Sequence, residues 1–129
     1  MTVYISIDGD DVGNKITQSY LENDEHSLSQ LLAELSTRLC QLSDCLRSEG
    51  FTIIFCAADG VLAKGEELNI NHVSRFVLKI GTPRLTFSAG VGTSLRLAYL
   101  ALKYAKATGK HRIAVCDNNE QFTILTNDR

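Results

Sequence analysis

Val3, Ile5 and Ile7 alternate with Tyr4 and Ser6, the two-residue period of a strand lying inside a sheet. The run stops at an acidic turn, Asp8-Gly9-Asp10-Asp11-Val12-Gly13, and the period then changes. Residues 13 to 22 read as a short helix. After them Leu28, Leu31, Leu32, Leu35, Leu39, Leu42 and Leu46 recur at spacings of three and four, the stripe of a long amphipathic helix, with Ser27 and Gln30 as a capping box and Gly50 as terminator. Thr52 to Ala57 is a β-branched and aromatic run, Ala58-Asp59-Gly60 is a tight-turn signal, and Val61 to Ala63 resumes the apolar character. The pattern predicts a hairpin with Asp59 at its bend. Asn71 is placed to cap a helix with Val73, Phe76, Val77 and Ile80 on its apolar side, closed by Gly81 and Pro83. Leu85, Phe87, Ala89 and Val91 then alternate with Thr86, Ser88 and Gly90 as a strand. Ser94 caps a helix from Leu95 to about Thr108 that buries Leu97, Ala98, Ala101, Leu102 and Ala105 and stops at Gly109. Arg112 to Cys116 and Gln121 to Leu125 read as short closing strands.

This order predicts an α+β fold of the split βαβ, ferredoxin-like kind: a βαββαβ unit with an added C-terminal helix and strands. No internal repeat or low-complexity stretch divides it, so residues 1–129 form one expected domain. In that arrangement the end of the first strand lies beside the hairpin between the second and third. Asp8 is thereby brought near Asp59.

Composition narrows the function. A 44% apolar content supports a genuine core, while a net charge of −2 and a pI near 5.9 argue against general binding of DNA or RNA backbones, which needs a basic face. No apolar run approaches the roughly 20 residues of a membrane span, and the N-terminus lacks the basic and apolar regions of a signal peptide. The expected location is cytoplasmic, without membrane insertion. Cys40, Cys45, Cys56 and Cys116 make no C-x-x-C pair, so zinc is disfavoured and they are expected as reduced, small core residues. His26, His72 and His111 stand in separate polar stretches with no partner spacing. Ser27, Ser43 and Ser48 lack a nucleophile-elbow context.

The acidic turn carries the chemistry. Three carboxylates within four residues repel one another, and in a partly buried site each is driven toward protonation unless a cation such as Mg²⁺ offsets them. In extended chain Asp8 and Asp10 point to one side and Asp11 to the other, so two oxygens can converge on one ion. Asp and Gly are also what an ordinary strand-ending turn uses.

Three stretches in this order resemble the palm-domain nucleotide cyclases: Ile7-Asp8-Gly9-Asp10-Asp11-Val12-Gly13, Ala57-Ala58-Asp59-Gly60, and Tyr104-Ala105-Lys106-Ala107-Thr108-Gly109-Lys110-His111-Arg112-Ile113. The strand Thr86-Phe87-Ser88-Ala89-Gly90-Val91-Gly92 is similar to the cyclases' penultimate strand. That group includes the GGDEF diguanylate cyclases and the palm of the large type III CRISPR subunit, and the nearest likeness is to the minimal CRISPR polymerases. The resemblance implies a palm fold and a nucleotidyltransferase that makes a cyclic di- or oligonucleotide from nucleoside triphosphates, ATP favoured. It implies Mg²⁺ or Mn²⁺ held by Asp8, the Gly9 carbonyl and Asp59, with Asp8, Asp59 and Asp11 as catalytic residues. Asp11 either joins the metal site or orients a ribose hydroxyl; the competing reading of Asp11 is a helix cap. Asp10, Val12, Gly13, Ala57, Ala58, Lys106 and Lys110 are the implied nucleotide-binding positions, the two lysines on the triphosphate. A homodimer with facing sites, anti-phage signalling and a separate cyclic-nucleotide effector, often membrane-bound, complete the implied picture.

One departure stands out. The family usually has a Gly-Gly-acid-acid turn, whereas Ala57-Ala58-Asp59-Gly60 lacks both glycines and the second acid, which favours Mn²⁺ or a degenerate palm that binds nucleotide as a regulator. Asp8-Gly9-Asp10 after a strand also fits the start of haloacid-dehalogenase-like phosphatases, with Asp8 as nucleophile and Asp10 as acid. That reading needs a larger doubly wound sheet and a later acidic pair, neither of which the pattern offers.

Overall fold

A computed structural model describes residues 1–125; positions 126–129 of the expected single domain lie outside the described residues. The chain runs β1 (Thr2–Gly9), α1 (Val12–Leu21), α2 (Glu25–Ser48), β2 (Thr52–Ala57), β3 (Gly60–Glu66), α3 (Ile70–Ile80), β4 (Phe87–Gly92), α4 (Leu95–Ala107), β5 (Ile113–Cys116) and β6 (Phe122–Ile124). One six-stranded sheet has the order β2-β3-β1-β4-β5-β6. Its first four positions are the ferredoxin-like set, antiparallel throughout, and α4 carries the chain from β4 to the parallel strand β5. β1 is thus central, as its alternation predicts. A largely antiparallel sheet is not the doubly wound parallel sheet that the phosphatase reading requires, and that reading falls.

Val3, Ile5 and Ile7 point to the face covered by α2 and α3, where they meet Leu35, Leu39, Leu42, Leu46, Val73 and Val77. Tyr4, Ser6 and Asp8 occupy the opposite face. There α4 buries Leu97, Ala101 and Ala105 against Ala114 and Cys116. α4 lies so close to β4 that a Cβ on Gly90 would stand 2.3 Å from the Ala98 carbonyl oxygen and 2.1 Å from the Leu102 nitrogen. Only glycine admits this seating, and the seating fixes where the last turn of α4 ends.

Several expected details differ. Helix α2 begins one turn earlier than the Ser27–Gln30 pattern suggests, because the Asp24 side chain accepts from the Ser27 N–H at 3.0 Å and from its hydroxyl at 2.7 Å. Ser94 caps α4 as expected, accepting from the Leu97 N–H. Asn71 is no cap: a 3₁₀ turn, Glu67–Asn69, leads directly into α3, and the Asn69 side chain donates to the Glu49 carbonyl instead. Leu85 lies in a turn, bridged to Thr82, so the strand starts at Phe87. All four cysteines are free, but only Cys116 is a core residue; Cys40 and Cys56 are exposed because α2 turns one side to solvent and β2 is an edge strand.

Candidate active site

The acidic turn and the hairpin bend meet as the topology requires. Asp8 pairs with Gly60 across β1 and β3, and the Gly9 N–H donates to the Asp59 carbonyl at 2.9 Å. A Cβ at position 60 would come within 2.7 Å of the Ile7 carbonyl oxygen and 3.2 Å of the Asp8 carboxylate. The close approach of the two strands therefore depends on Gly60, and the second acid that the family usually carries has no room there. Asp8 and Asp59 are near enough to share a hydrogen bond. Burial is the largest influence on Asp8 and raises its pKa; the Lys106 ammonium lowers it, Asp59 raises it again, and the outcome is about 6. An excess of negative charge at two carboxylates beside a backbone carbonyl is a hard-oxygen donor set, which fits a divalent cation of the Mg²⁺ or Mn²⁺ type. Among the described residues no three His, Cys, Asp or Glu side chains converge on one ion position.

Lys106, in the last turn of α4, stands on the same turn. Its ammonium donates to the Gly9 carbonyl at 2.8 Å and to Asp10 Oδ1 at 2.8 Å, and lies 3.4 Å from Asp8 Oδ2. Asp8 and Asp10 do face one way, as the extended chain predicts. Asp11 faces another and pairs with Lys110 at 2.5 Å, which pushes the Lys110 pKa up through that hydrogen bond first. Although Asp11 occupies the position before α1, its side chain makes no cap bond, so the capping reading is not what the structure shows. The first turn of α1 consequently has no side-chain partner for its N–H groups.

Two of the expected nucleotide-binding residues have buried side chains. The Val12 side chain is a core residue, 3% exposed, leaving only its backbone to face a ligand. The Asp10 carboxylate, equally buried, accepts from Thr86 Oγ1, Ser88 Oγ, Lys106 Nζ and the His111 N–H at 2.7 to 3.0 Å. Burial, the largest single influence, works to raise its pKa, yet the Lys106, Thr86 and Ser88 hydrogen bonds together with the Lys106 charge bring it below the ordinary value. Gly13 is exposed in the first turn of α1, and Ala57 and Ala58 are exposed beside a groove that Leu35, Leu39 and Ser43 of α2 line from the other side.

Thr86, Ser88 and the His111 backbone are the site residues that sequence reasoning missed. Ser88 had a signal: a serine in a strand whose every residue is buried needs a partner. His111 had none, since it acts through its main chain. Asp11, Ala58, Lys110 and His111 all have positive φ, four of the six non-glycine residues with positive φ among the described residues, so the strained backbone gathers around this site.

The strand order and the helices seated on it define a palm-type α+β domain. The chain belongs to the minimal CRISPR polymerase (mCpol) family, whose sequence pattern it matches over residues 4–116. Its fold is similar to a diguanylate cyclase/phosphodiesterase from Caldicellulosiruptor saccharolyticus (16% identity, 95% of this chain and 79% of that one, TM-score 0.65). It is also similar to the active GGEEF domain of a diguanylate cyclase from Vibrio cholerae (17%, 88% and 81%, TM-score 0.59). The guanylyl cyclase Cya2 shares the fold at 14% identity, over 89% of this chain and 74% of that one, with a TM-score of 0.60. No curated protein matches in whole-sequence comparison. No helix among the described residues is long and apolar enough to cross a membrane.

Proposed function

We propose that this chain joins nucleoside triphosphates, ATP favoured, into a cyclic di- or oligonucleotide. The observation that supports this most is the meeting of Asp8 and Asp59 beside the Gly9 carbonyl, with Lys106 and Lys110 on the rim. Asp8, Asp59 and the second lone pair of the Gly9 carbonyl, whose first accepts from Lys106, would hold Mg²⁺ or Mn²⁺, which when bound lowers the pKa of a ribose hydroxyl and offsets triphosphate charge. The remaining work falls to the chain's own groups. Lys106 offers an ammonium to the phosphates, Lys110 a second cation, and the first turn of α1 offers N–H groups at Gly13 and the Val12 backbone. Ala57 and Ala58 border the groove that takes the ribose and base. The hydroxyl oxygen bonds to the α-phosphorus as the bond to pyrophosphate breaks, and the hydroxyl proton passes to water; no protein nucleophile is needed. Ring closure needs two triphosphates held opposite one another, so a homodimer with facing sites is the assembly, and Asp11, released from Lys110, would orient a ribose hydroxyl. The product would act in the cytoplasm on a separate effector, membrane-bound in some systems, as an anti-phage signal.

The test incubates the pure protein with each nucleoside triphosphate, singly and in pairs, with Mg²⁺ or Mn²⁺, and follows pyrophosphate release and product mass. Asp8→Ala and Asp59→Ala should each abolish turnover with an unchanged circular dichroism spectrum, and Lys106→Ala should mainly raise KM. Full activity in both aspartate variants would overturn the assignment. The absence of room for an acid at position 60 favours a second reading, a nucleotide-binding regulator, which metal-dependent binding without product would support.

A further inference from the structure

We propose that Asp10 is a positioning residue, fixed inside the domain by Thr86, Ser88 and the His111 N–H, that holds the Lys106 ammonium at the Gly9 carbonyl and reaches nucleotide only through that lysine. Both Asp10 oxygens are fully used. Oδ1 accepts from Ser88 Oγ at 2.8 Å and Lys106 Nζ at 2.8 Å, and Oδ2 from Thr86 Oγ1 at 2.7 Å and the His111 N–H at 3.0 Å. An ionised carboxylate has about four lone-pair sites, so none remains for a metal ion or a ribose hydroxyl. The backbone is tied as well, since the Asp10 N–H donates to the Thr86 carbonyl at 2.9 Å.

What surrounds Asp10 is built at some cost. Lys110 and His111 are consecutive non-glycine residues with φ of 63° and 49°, and this backbone aims the His111 N–H at Asp10. Such conformations persist where the surroundings over-determine them. Lysine is by nature a mobile point charge on a four-carbon stem. Here two separate devices remove that freedom: the Gly90 seating fixes the end of α4, and Asp10 fixes the ammonium. The ammonium has three protons; two are placed on Gly9 O and Asp10 Oδ1, and Asp8 stands 3.4 Å away.

The inference rests on the proposed triphosphate site for its consequence but has a readout that does not. In ¹⁵N-labelled full-length protein, the Lys106 ammonium, assigned by its loss in Lys106→Arg, should give a signal protected from solvent exchange. Asp10→Asn should abolish that protection, and Ser88→Ala, a milder change that keeps the charge pair, should weaken it. Binding of a non-hydrolysable ATP analogue supplies the second readout. Asp10→Asn and Lys106→Ala should each weaken it about tenfold, and the double variant should bind no worse than Lys106→Ala alone. Full ammonium protection in Asp10→Asn, or additive losses in the double variant, would overturn the proposal. If the wild-type protein binds no triphosphate, the functional reading fails while the ammonium signal still decides the role of Asp10.

Discussion

Asp8 and Asp10 are two residues apart on one strand end, face the same lysine, and have opposite electrostatic fates. Asp8 keeps its carboxylate toward Asp59 and binds its proton more tightly than a free aspartate, whereas Asp10 has a donor for each of its lone pairs and releases its proton more easily. The difference lies in hydrogen-bond supply rather than depth alone, since burial pushes both the same way. Two carboxylates whose surroundings push their pKa values apart divide the labour of a site. Asp10 stabilises the architecture, and Asp8 is left charged, crowded and available.

The comparison breaks most visibly at Asp10. Asp10→Ala strands the donors of Thr86, Ser88 and His111 and leaves Lys106 with a weaker partner, and should cost about 3 kcal/mol in urea unfolding. Asp8→Asn should do the reverse. With a pKa of about 6 in the folded protein against an ordinary 3.8, Asp8 contributes stability that is full below about pH 4 and is lost as pH rises through 6. The full shift corresponds to about 3 kcal/mol, of which solvent screening of a side chain one-third exposed leaves about 1 kcal/mol. At pH 8 the Asp8→Asn protein should therefore melt higher than wild type, and at pH 4 the gain should vanish. Mg²⁺ sharpens the contrast: it should raise the melting temperature of the wild type at pH 8 and leave Asp8→Asn unmoved. The smallest effect belongs to the hairpin bend. Ala58 has a φ of 53°, so Ala58→Gly should stabilise by about 0.5 kcal/mol, the gain of relieved strain less the added freedom of the unfolded chain.

Much of this was legible before any coordinates. Alternation in Val3–Ile7, the leucine stripe and the Asp59 bend fix the strand order well enough to bring Asp8 to Asp59. Helix starts were less legible, because Asp24 and Ser27 are both good caps and only the folded chain shows which one accepts. The burial of Asp10 was not legible. It depends on Ser88, on a main-chain N–H at His111 and on how closely α4 sits on Gly90, and none of these leaves a side-chain pattern pointing at Asp10. That Asp10, expected at the nucleotide, is instead held inside the domain shows only when its long-range donors are known.

Those donors lie 76, 78, 96 and 101 positions beyond Asp10. During synthesis from the N-terminus, the acidic turn therefore emerges well before every one of these donors. A nascent palm that has already paired β1 with β3 would still hold Asp10 without its serine, its lysine and its final N–H. The site therefore matures only once α4 and His111 have emerged, and a truncated product ending before His111 would carry both Asp8 and Asp59 yet lack the lysine's anchor in its finished form.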